Sequence, residues 1–300
     1  MKYGFTMLCA TMLMFALSGQ TAASGHEKEI AIVYTCNTNG YIEACACSKN
    51  NLGGLARRMT ALNALRKEHK GNMLLLDAGN IFSSFQRSTR HDRVVATIVK
   101  RMNYDAVNLG NQEFVYGQKF LRQNKPSETL LSLNILDTKG NHVGQPYLIK
   151  NVSGVKVAIT GLLTMSAFSN LSDTIKAGLS LQEPFEALKP ALADIKRKKP
   201  DLTVLLLCSL DYQLEKKLAE AYPEIDLIIS CTEDLATDPL TKYGNTIATS
   251  AGHDGEKVGC LTVRIDTKQK QVKAFSNKLI DLDPAVRPDA EIFSLTQTPN

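Results

Sequence analysis

Cysteine is the residue type whose number and spacing could do the most chemistry in this 300-residue chain. Cys45 and Cys47 form a C-x-C pair. Besides Cys9, the remaining cysteines are Cys36, Cys208, Cys231 and Cys260. Thiolates are redox-active and favour soft metals such as zinc, copper(I) or iron. The alternatives are structural disulfides, which are common in exported proteins, and thiols that are plain core residues.

The first 24 residues predict export. Lys2 precedes an uncharged apolar run over residues 5–17, and small residues follow up to Ser24, which is the layout of a secretory signal. The apolar run is shorter than the roughly 20 residues of a membrane-spanning helix. We therefore expect residues 1–24 to be a signal peptide and the mature chain to be periplasmic or extracellular, with no membrane span. Removal of Cys9 with the signal leaves six cysteines, and the sequence cannot choose among their pairings.

Composition and charge exclude one class of partner. The net charge is +5, and 44% of the residues are hydrophobic, which is enough for a substantial core. The densest basic run, over 196–199, stands at the end of a predicted helix, where cations suit the helix dipole. Proteins that bind nucleic acids concentrate basic residues on one face or interleave them with aromatics. This chain does neither, so we expect no nucleic-acid partner.

Strand and helix patterns alternate along most of the chain. Six apolar runs predict strands, at 29–35, 73–76, 130–134, 155–162, 202–207 and 226–229. Helical periodicity falls between them, at 55–65, 92–102, 184–198 and 212–221. Residues 261–265 and 272–279 predict an antiparallel hairpin. The pattern indicates an α/β protein with sheets under helical layers, in one domain over 25–285 with a polar tail over 286–300.

Polar and glycine-rich motifs stand at the ends of the predicted strands. They read TCNTNG (35–40), GGLARR (53–58), DAGNIF (77–82), LGNQEFVYG (109–117), LCSL (207–210), IISCTED (228–234) and SAGHDGEKVG (250–259). Their order and spacing resemble the 5′-nucleotidase and UDP-sugar hydrolase (UshA-like) family of calcineurin-like metallophosphoesterases. The family's motifs look like TNDxHG, GGLAR, DAGDxF, LGNHEFDYG, LSHxG, IxGGHxH and AGxxGxxVG. The resemblance implies a four-layer αββα metallophosphoesterase sandwich.

The resemblance also implies where two divalent metal ions would bind. Such ions lie about 3.5–4 Å apart, clamp a phosphoester and activate the attacking water. By position, the family's ligands and its transition-state histidine at 112 correspond here to Asn37, Asn39, Asn80, Asn111, Gln112, Ser209, Thr232 and Asp234. Only Asn111 matches the family. Neutral amides and hydroxyls cannot balance two dications, so we expect vestigial metal positions and assign no catalytic residue.

Thiols accompany the replaced ligands. Three of them directly precede such positions, namely Cys36, Cys208 and Cys231. Strand ends converge at binding sites in open α/β folds, so these thiols are expected around the replaced site. The C-x-C loop before GGLARR resembles that of short UshA-like (seleno)proteins, which implies a redox or soft-metal site at Cys45 and Cys47.

These observations favour one function and leave others open. We expect an exported protein of this family that does not hydrolyse phosphoesters, with a thiol redox or soft-metal role and a small-molecule or redox partner. One alternative is a residual metal-dependent nucleotide hydrolase that uses Asp234 and Glu113 around one weakly held ion. Another is a ligand-binding module without chemistry. The sequence assigns no cofactor and leaves a thiolate-bound metal open.

Overall fold

A computed structural model describes residues 26–44, 50–83, 88–209, 211–232 and 240–297. Its strands are β1 (Glu27–Thr35), β2 (Met73–Asp77), β3 (Ala106–Asn108), β4 (Leu130–Leu131), β5 (Ile135–Asp137), β6 (Tyr147–Val152), β7 (Val155–Leu163), β8 (Leu179–Leu181), β9 (Leu202–Cys208), β10 (Leu227–Ser230), β11 (Thr241–Tyr243), β12 (Thr246–Thr249), β13 (Lys257–Asp266) and β14 (Gln271–Asp281). Its α-helices are α1 (Leu55–His69), α2 (Thr89–Arg101), α3 (Gly117–Gln123), α4 (Met165–Ser169), α5 (Asp173–Lys176), α6 (Pro184–Arg197), α7 (Tyr212–Ala221) and α8 (Ala290–Thr296). A 3₁₀ turn covers Gln112–Phe114. None of the helices in these ranges is long and apolar enough to cross a membrane.

The strands form two large sheets and one small pair. The first sheet has the order β14-β13-β1-β2-β3-β4, the second has the order β11-β12-β10-β9-β7-β6, and β5 pairs with β8. In the first sheet β1 to β4 run parallel, and in the second sheet β12, β10, β9 and β7 run parallel. The other strands of both sheets pair antiparallel at their edges. The carboxyl ends of the parallel strands in each sheet therefore meet at one edge, where such folds place their sites.

Two buried clusters show how the layers stack. One cluster lies between the sheets and continues to α1 and α2, and the other lies between the second sheet and helices α6 and α7. Strand β9 takes part in both because successive side chains of a strand point to opposite faces. Val204 and Leu206 belong to the first cluster, whereas Leu205 and Leu207 belong to the second. This helix, sheet, sheet, helix order confirms the four-layer αββα sandwich that the resemblance implies.

Most of the predicted elements are confirmed, and one strand is corrected. The run 130–134 forms a strand only over β4. Asn134 leaves the ladder because its side-chain amide donates to the Leu163 carbonyl (2.7 Å) and accepts from the Leu163 N–H (3.1 Å). Strands β3, β8 and β11, which the sequence analysis did not predict, have three residues each. Such short strands cannot show the periodicity on which sequence prediction depends.

Helix α8 lies within the stretch expected to be a polar tail. The Asp289 side chain caps the helix by accepting from the Ile292 N–H (3.0 Å), and the Asp289 N–H donates to the Ala56 carbonyl in α1 (3.0 Å). Ile292 is 1% exposed and belongs to the cluster between the sheets and α1 and α2, whereas the neighbouring Phe293 is 48% exposed. One apolar side chain thus ties this end of the described chain to the first helical layer.

The substitution Ile292→Ala tests this docking. We expect it to lower the free energy of unfolding by about 2–4 kcal/mol, because it removes a fully buried aliphatic side chain. The matched control is Phe293→Ala in the next position, which should stay within about 0.5 kcal/mol of the wild type, as for a surface substitution. Urea denaturation measures both. Equal losses for the two variants would contradict the docked position of α8.

Candidate functional site

The loops after the parallel strands bring most of the predicted site residues to one place. The loops that follow β1, β2, β3, β9 and β10 carry, in chain order, Asn37, Asn39, Asn80, Asn111, Gln112, Ser209 and Thr232. Backbone hydrogen bonds lock the first two loops together, from the Asn37 N–H to the Gly79 carbonyl and from the Asn39 N–H to the Asn80 carbonyl (2.9 Å each). Asp234, Cys45 and Cys47 lie outside the described residues.

Backbone conformation gives a local reason for asparagine in these loops. Asn37, Asn39 and Asn80 have φ angles of 45°, 51° and 63°, in the left-handed region. Outside glycine, this region is adopted mainly by asparagine, aspartate and histidine. Asparagine therefore keeps the loop conformation that carboxylate and imidazole ligands would have, while it removes their charge or basicity.

Two backbone carbonyls determine how the central amides point. The Asn37 amide nitrogen donates to the carbonyls of Cys231 (2.7 Å) and Gly252 (3.0 Å). Because both partners can only accept, the Asn37 amide oxygen must point the other way. There it accepts from the amide nitrogen of Asn80 (3.1 Å). The Asn80 amide oxygen is in turn directed at the thiol of Cys208 (3.5 Å).

Three thiols complete this arrangement, and all of them are buried and free. The Asn80 amide nitrogen faces the Cys231 sulfur (3.8 Å), and the Cys36 thiol donates to the Gly252 carbonyl (3.3 Å). Burial raises the pKa of the Cys36 thiol to about 12. We call Asn37, Asn80, Cys36, Cys208 and Cys231 the amide–thiol cluster. Its five side chains are neutral when the thiols are protonated.

The hydroxyls at two former ligand positions are used elsewhere. The Ser209 hydroxyl donates to the Asp211 carbonyl (3.0 Å) and accepts from the Asp211 N–H (2.8 Å). The Thr232 hydroxyl lies 2.6 Å from that of Ser230 and donates to the buried Glu215 carboxylate (3.3 Å). Both side chains thus stabilise the ends of β9 and β10 and do not join the amide–thiol cluster.

Two further amides carry a buried oxygen with no hydrogen-bond partner in the described part of the chain. The Asn39 amide nitrogen donates to Asp254 (2.9 Å), which leaves its oxygen unpaired. The amide oxygen of Gln112, at the start of the 3₁₀ turn, is also buried and unpaired. Asn111 is half-buried and precedes this turn, where its carbonyl accepts from the Phe114 N–H (3.1 Å).

The buried Glu113 carboxylate holds the loops after β2 and β3 through hydrogen bonds to their backbone. Its carboxylate accepts from the backbone N–H groups of Asn80 (3.1 Å), Ile81 (2.6 Å) and Gly110 (2.7 Å). Burial raises its pKa to about 7, against the effect of these three donors. The sequence analysis considered Glu113 as a ligand of a single weakly held ion. The structure instead commits both carboxylate oxygens to the loops after β2 and β3.

Asp77 has the same role beside the first loop, and the sequence analysis missed it. It accepts from the Thr35 hydroxyl (2.5 Å) and from the Gly79 N–H (2.8 Å). Burial raises its pKa to about 6, and the charge of the buried Arg58 opposes that shift. The DAGN and GGLARR motifs contain these two residues, so the signal was present but was assigned only to the family pattern.

These residues do not fit a pair of divalent ions. The amide oxygens of Asn37 and Asn80 already accept hydrogen bonds, and Ser209 and Thr232 are turned to other partners. In the ranges that the structure describes, no three His, Cys, Asp or Glu side chains are grouped so that they could hold a metal ion. Hard divalent cations need several oxygen ligands with compensating negative charge, and the amide–thiol cluster supplies neither.

Known proteins resemble this chain in sequence and in fold. A 5′-nucleotidase of Vibrio cholerae serotype O1 is 31% identical over 168 residues, which cover 53% of this chain and 30% of that protein. A 5′-nucleotidase of Vibrio parahaemolyticus serotype O3:K6 is 30% identical over 215 residues, which cover 66% and 37%. The crystal structure of a 5′-nucleotidase precursor from Thermus thermophilus has a TM-score of 0.74 at 22% identity, covering 90% of this chain and 58% of that one. No family model matches the chain.

The chain belongs to the 5′-nucleotidase family of metallophosphoesterases. It spans less than two thirds of each of these relatives. The motif resemblance implies that the loops after β1, β2, β3, β9 and β10 lie where the family's metal centre would be. In this member of the family, the same loops hold the amide–thiol cluster.

The substitution Asn80→Asp tests how strongly the cluster depends on neutral amides. Aspartate would lose the N–H donated to Asn37 and place a carboxylate against an amide oxygen, so we expect unfolding to require about 2–4 kcal/mol less. Asn245→Asp, at an exposed turn, is the control and should change stability by no more than about 0.5 kcal/mol. Urea denaturation without metals measures both. Stability recovered by Mn²⁺ in Asn80→Asp alone would show that one carboxylate is enough to recruit an ion.

A pH dependence follows from the raised pKa values of Glu113 and Asp77. Above their ordinary pKa values of 4.5 and 3.8, the folded protein holds protons that the unfolded chain has released. The free energy of unfolding should therefore fall as the pH rises from about 4.5 to 7. Above pH 6 the decrease should come mainly from Glu113, because the pKa of Asp77 is about 6.

The variant Glu113→Gln separates the contribution of Glu113 to this pH dependence from the contributions of the other buried acids. We expect it to abolish most of the decrease between pH 6 and 7 and, at pH 8, to cost about 2–4 kcal/mol through hydrogen bonds lost to the carboxylate. The exposed Glu128→Gln, which breaks only a surface ion pair with Lys100, should keep the wild-type slope. Chemical denaturation over pH 5–8 is the measurement. A Glu113→Gln profile parallel to the wild type would contradict the assignment.

Proposed function

We propose that this protein is an exported, non-hydrolytic member of the 5′-nucleotidase family, in which the amide–thiol cluster replaces the dinuclear metal centre. The orientation of the Asn37 amide carries the proposal. Its nitrogen is held by the Cys231 and Gly252 carbonyls, so its oxygen pairs with Asn80 and not with a cation. An active centre would need charged ligands at both positions.

Electrostatics supports the loss of hydrolysis. Phosphoryl transfer depends on cations that neutralise the charge developing on the phosphoryl oxygens. Here all the positions that would hold those cations are neutral except Asp234, and Gln112 stands where the family has a histidine. The nearby buried acids, Glu113 and Asp77, are bound to backbone N–H groups. A phosphate group brought to this edge would meet carboxylates without compensating cations, which disfavours its binding.

A thiol role belongs to the same proposal. The C-x-C loop begins after Ala44, which pairs with Gly53 at the base of the loop. A side chain at Gly53 would contact the Asp254 carbonyl (3.4 Å), and Asp254 holds Asn39 in the site. The base of the loop therefore lies beside the replaced metal centre. We propose that Cys45 and Cys47 carry out thiol redox chemistry or bind a soft metal there, with a small-molecule or redox partner.

Assays of hydrolysis and metal content test the proposal. The purified protein, incubated with Mn²⁺ or Zn²⁺, should turn over neither bis(p-nitrophenyl) phosphate nor AMP above the buffer rate. Titration calorimetry should detect no binding of two Mn²⁺ ions. Mass spectrometry of the exported protein should find an N-terminus near residue 24.

The control is Asn111→Ala, which changes the one former ligand that the family pattern retains. Hydrolysis by the wild type that this variant abolishes would disprove the non-hydrolytic assignment. Hydrolysis of equal rate in both proteins would point to a contaminating enzyme, because a dinuclear centre would depend on Asn111. Disulfide mapping and metal analysis of a Cys45→Ser/Cys47→Ser variant against the wild type test the thiol role separately.

A further inference from the structure

Cys208 and Cys231 are neighbours on two adjacent parallel strands. Cys208 ends β9, and Cys231 directly follows β10, whose Ser230 is paired with Leu207. The next step of the same register places Cys231 opposite Cys208. The ladder continues there, because the Cys231 N–H donates to the Leu207 carbonyl (2.9 Å). Strands in a sheet lie about 4.7–4.9 Å apart, which is within the range of Cα separations that disulfides span, about 4.4–6.8 Å.

Both side chains also point to the same side of the sheet. Cys208, with Leu206 before it in β9, belongs to the cluster between the two sheets, and so do Cys231 and Ile229. The Asn80 amide bridges the two sulfurs, since its oxygen faces Cys208 (3.5 Å) and its nitrogen faces Cys231 (3.8 Å). The two thiols lie on the same face of the sheet, at paired positions of adjacent strands, and both contact the Asn80 amide. They are therefore positioned to react with each other.

The third thiol of the cluster is directed elsewhere. The Cys36 sulfur donates to the Gly252 carbonyl (3.3 Å) and lies 3.6 Å from the Ser250 hydroxyl. After burial, the largest influence on the pKa of Cys231 is a hydrogen bond with Cys208, and it raises that pKa, as does the charge of Cys208. The Cys208 and Cys231 sulfurs are therefore neighbours, as the strand register also requires.

We propose that Cys208 and Cys231 are a redox pair that forms a reversible disulfide, with hydrogen peroxide or an equally small, neutral peroxide as the oxidant. The sulfur of one thiol attacks a peroxide oxygen and the O–O bond breaks. The thiol proton goes to the departing hydroxide, which leaves as water, and a sulfenic acid remains. The sulfur of the second cysteine then attacks the sulfenic sulfur, the S–S bond forms, and a second water leaves. Two thiols and one peroxide thus give one disulfide and two waters, with two electrons passing from sulfur to oxygen.

Burial sets the class of oxidant. Each of the two cysteines is only 1% exposed. A protein disulfide or oxidised glutathione cannot reach either sulfur in the folded state, whereas a peroxide is little larger than water. This inference does not depend on the loss of hydrolysis, because both cysteines lie beside the former ligand positions and not at them.

Peptide mapping of the oxidised protein tests the pair. The purified exported protein is treated with hydrogen peroxide, alkylated with N-ethylmaleimide in denaturant, digested and analysed by mass spectrometry. We expect a linked peptide pair that contains Cys208 and Cys231, lighter by two hydrogens than the reduced peptides and separated by dithiothreitol. Full alkylation of both cysteines after peroxide treatment, or a link from either of them to Cys36, would overturn the proposal.

Variants and a second oxidant sharpen the test. The control is Cys260→Ser, in β13, which should form the linked pair at the wild-type yield. Cys45→Ser/Cys47→Ser tests whether the C-x-C pair relays the oxidation, and we expect the linked pair to form without it. Cys231→Ser should form no link at Cys208. Oxidised glutathione should act at least about tenfold more slowly than peroxide, because it needs local unfolding to reach the sulfurs. Loss of the link in Cys45→Ser/Cys47→Ser, or equal rates with the two oxidants, would count against direct oxidation of the buried pair.

Discussion

The amide of Asn37 joins the two sheets at their carboxyl ends. Asn37 follows β1 of the first sheet, and its side chain donates to carbonyls after β10 and β12 of the second. Since the nitrogen is fixed by two acceptors, the directions of the Asn37 oxygen, the Asn80 amide and the Cys208 thiol follow in turn. In a buried place each of these groups needs a partner, so one amide determines the arrangement of the cluster.

By the motif resemblance, this neutral cluster lies where the 5′-nucleotidase family is expected to use charge. A dinuclear centre holds two sheets together through cations and carboxylates, whose burial is tolerable only because they pair. Amides and thiols hold the same loops by ordinary hydrogen bonds between neutral groups. Asn37, Asn39 and Asn80 adopt left-handed backbone conformations, which asparagine tolerates better than most residues.

The acids that remain near the site are structural. Glu113 and Asp77 accept from backbone N–H groups in the loops after β2 and β3. Asp77 also accepts from the Thr35 hydroxyl at the end of β1, and the charge of Arg58 opposes the rise that burial causes in the pKa of Asp77. The hydrogen bonds of both acids to the backbone explain why buried carboxylates are tolerated beside the amide–thiol cluster. They also explain why those carboxylates do not amount to a metal site, because their oxygens are already bound to the backbone.

The sequence by itself determined the α/β class and most of the long strands and helices, and it predicted the replacement of the metal ligands. Hydrophobic periodicity and motif spacing are local properties, and each can be read from a few neighbouring residues. It also predicted that Cys36, Cys208 and Cys231 would lie around one site.

The direction of each amide, the role of Glu113 and the docking of Ile292 were decided by tertiary structure alone. They depend on contacts between residues far apart in the chain, such as Asn37 with Cys231 and Gly252. The pairing of Cys208 with Cys231 likewise needs the register of β9 against β10, which no pattern along the chain specifies.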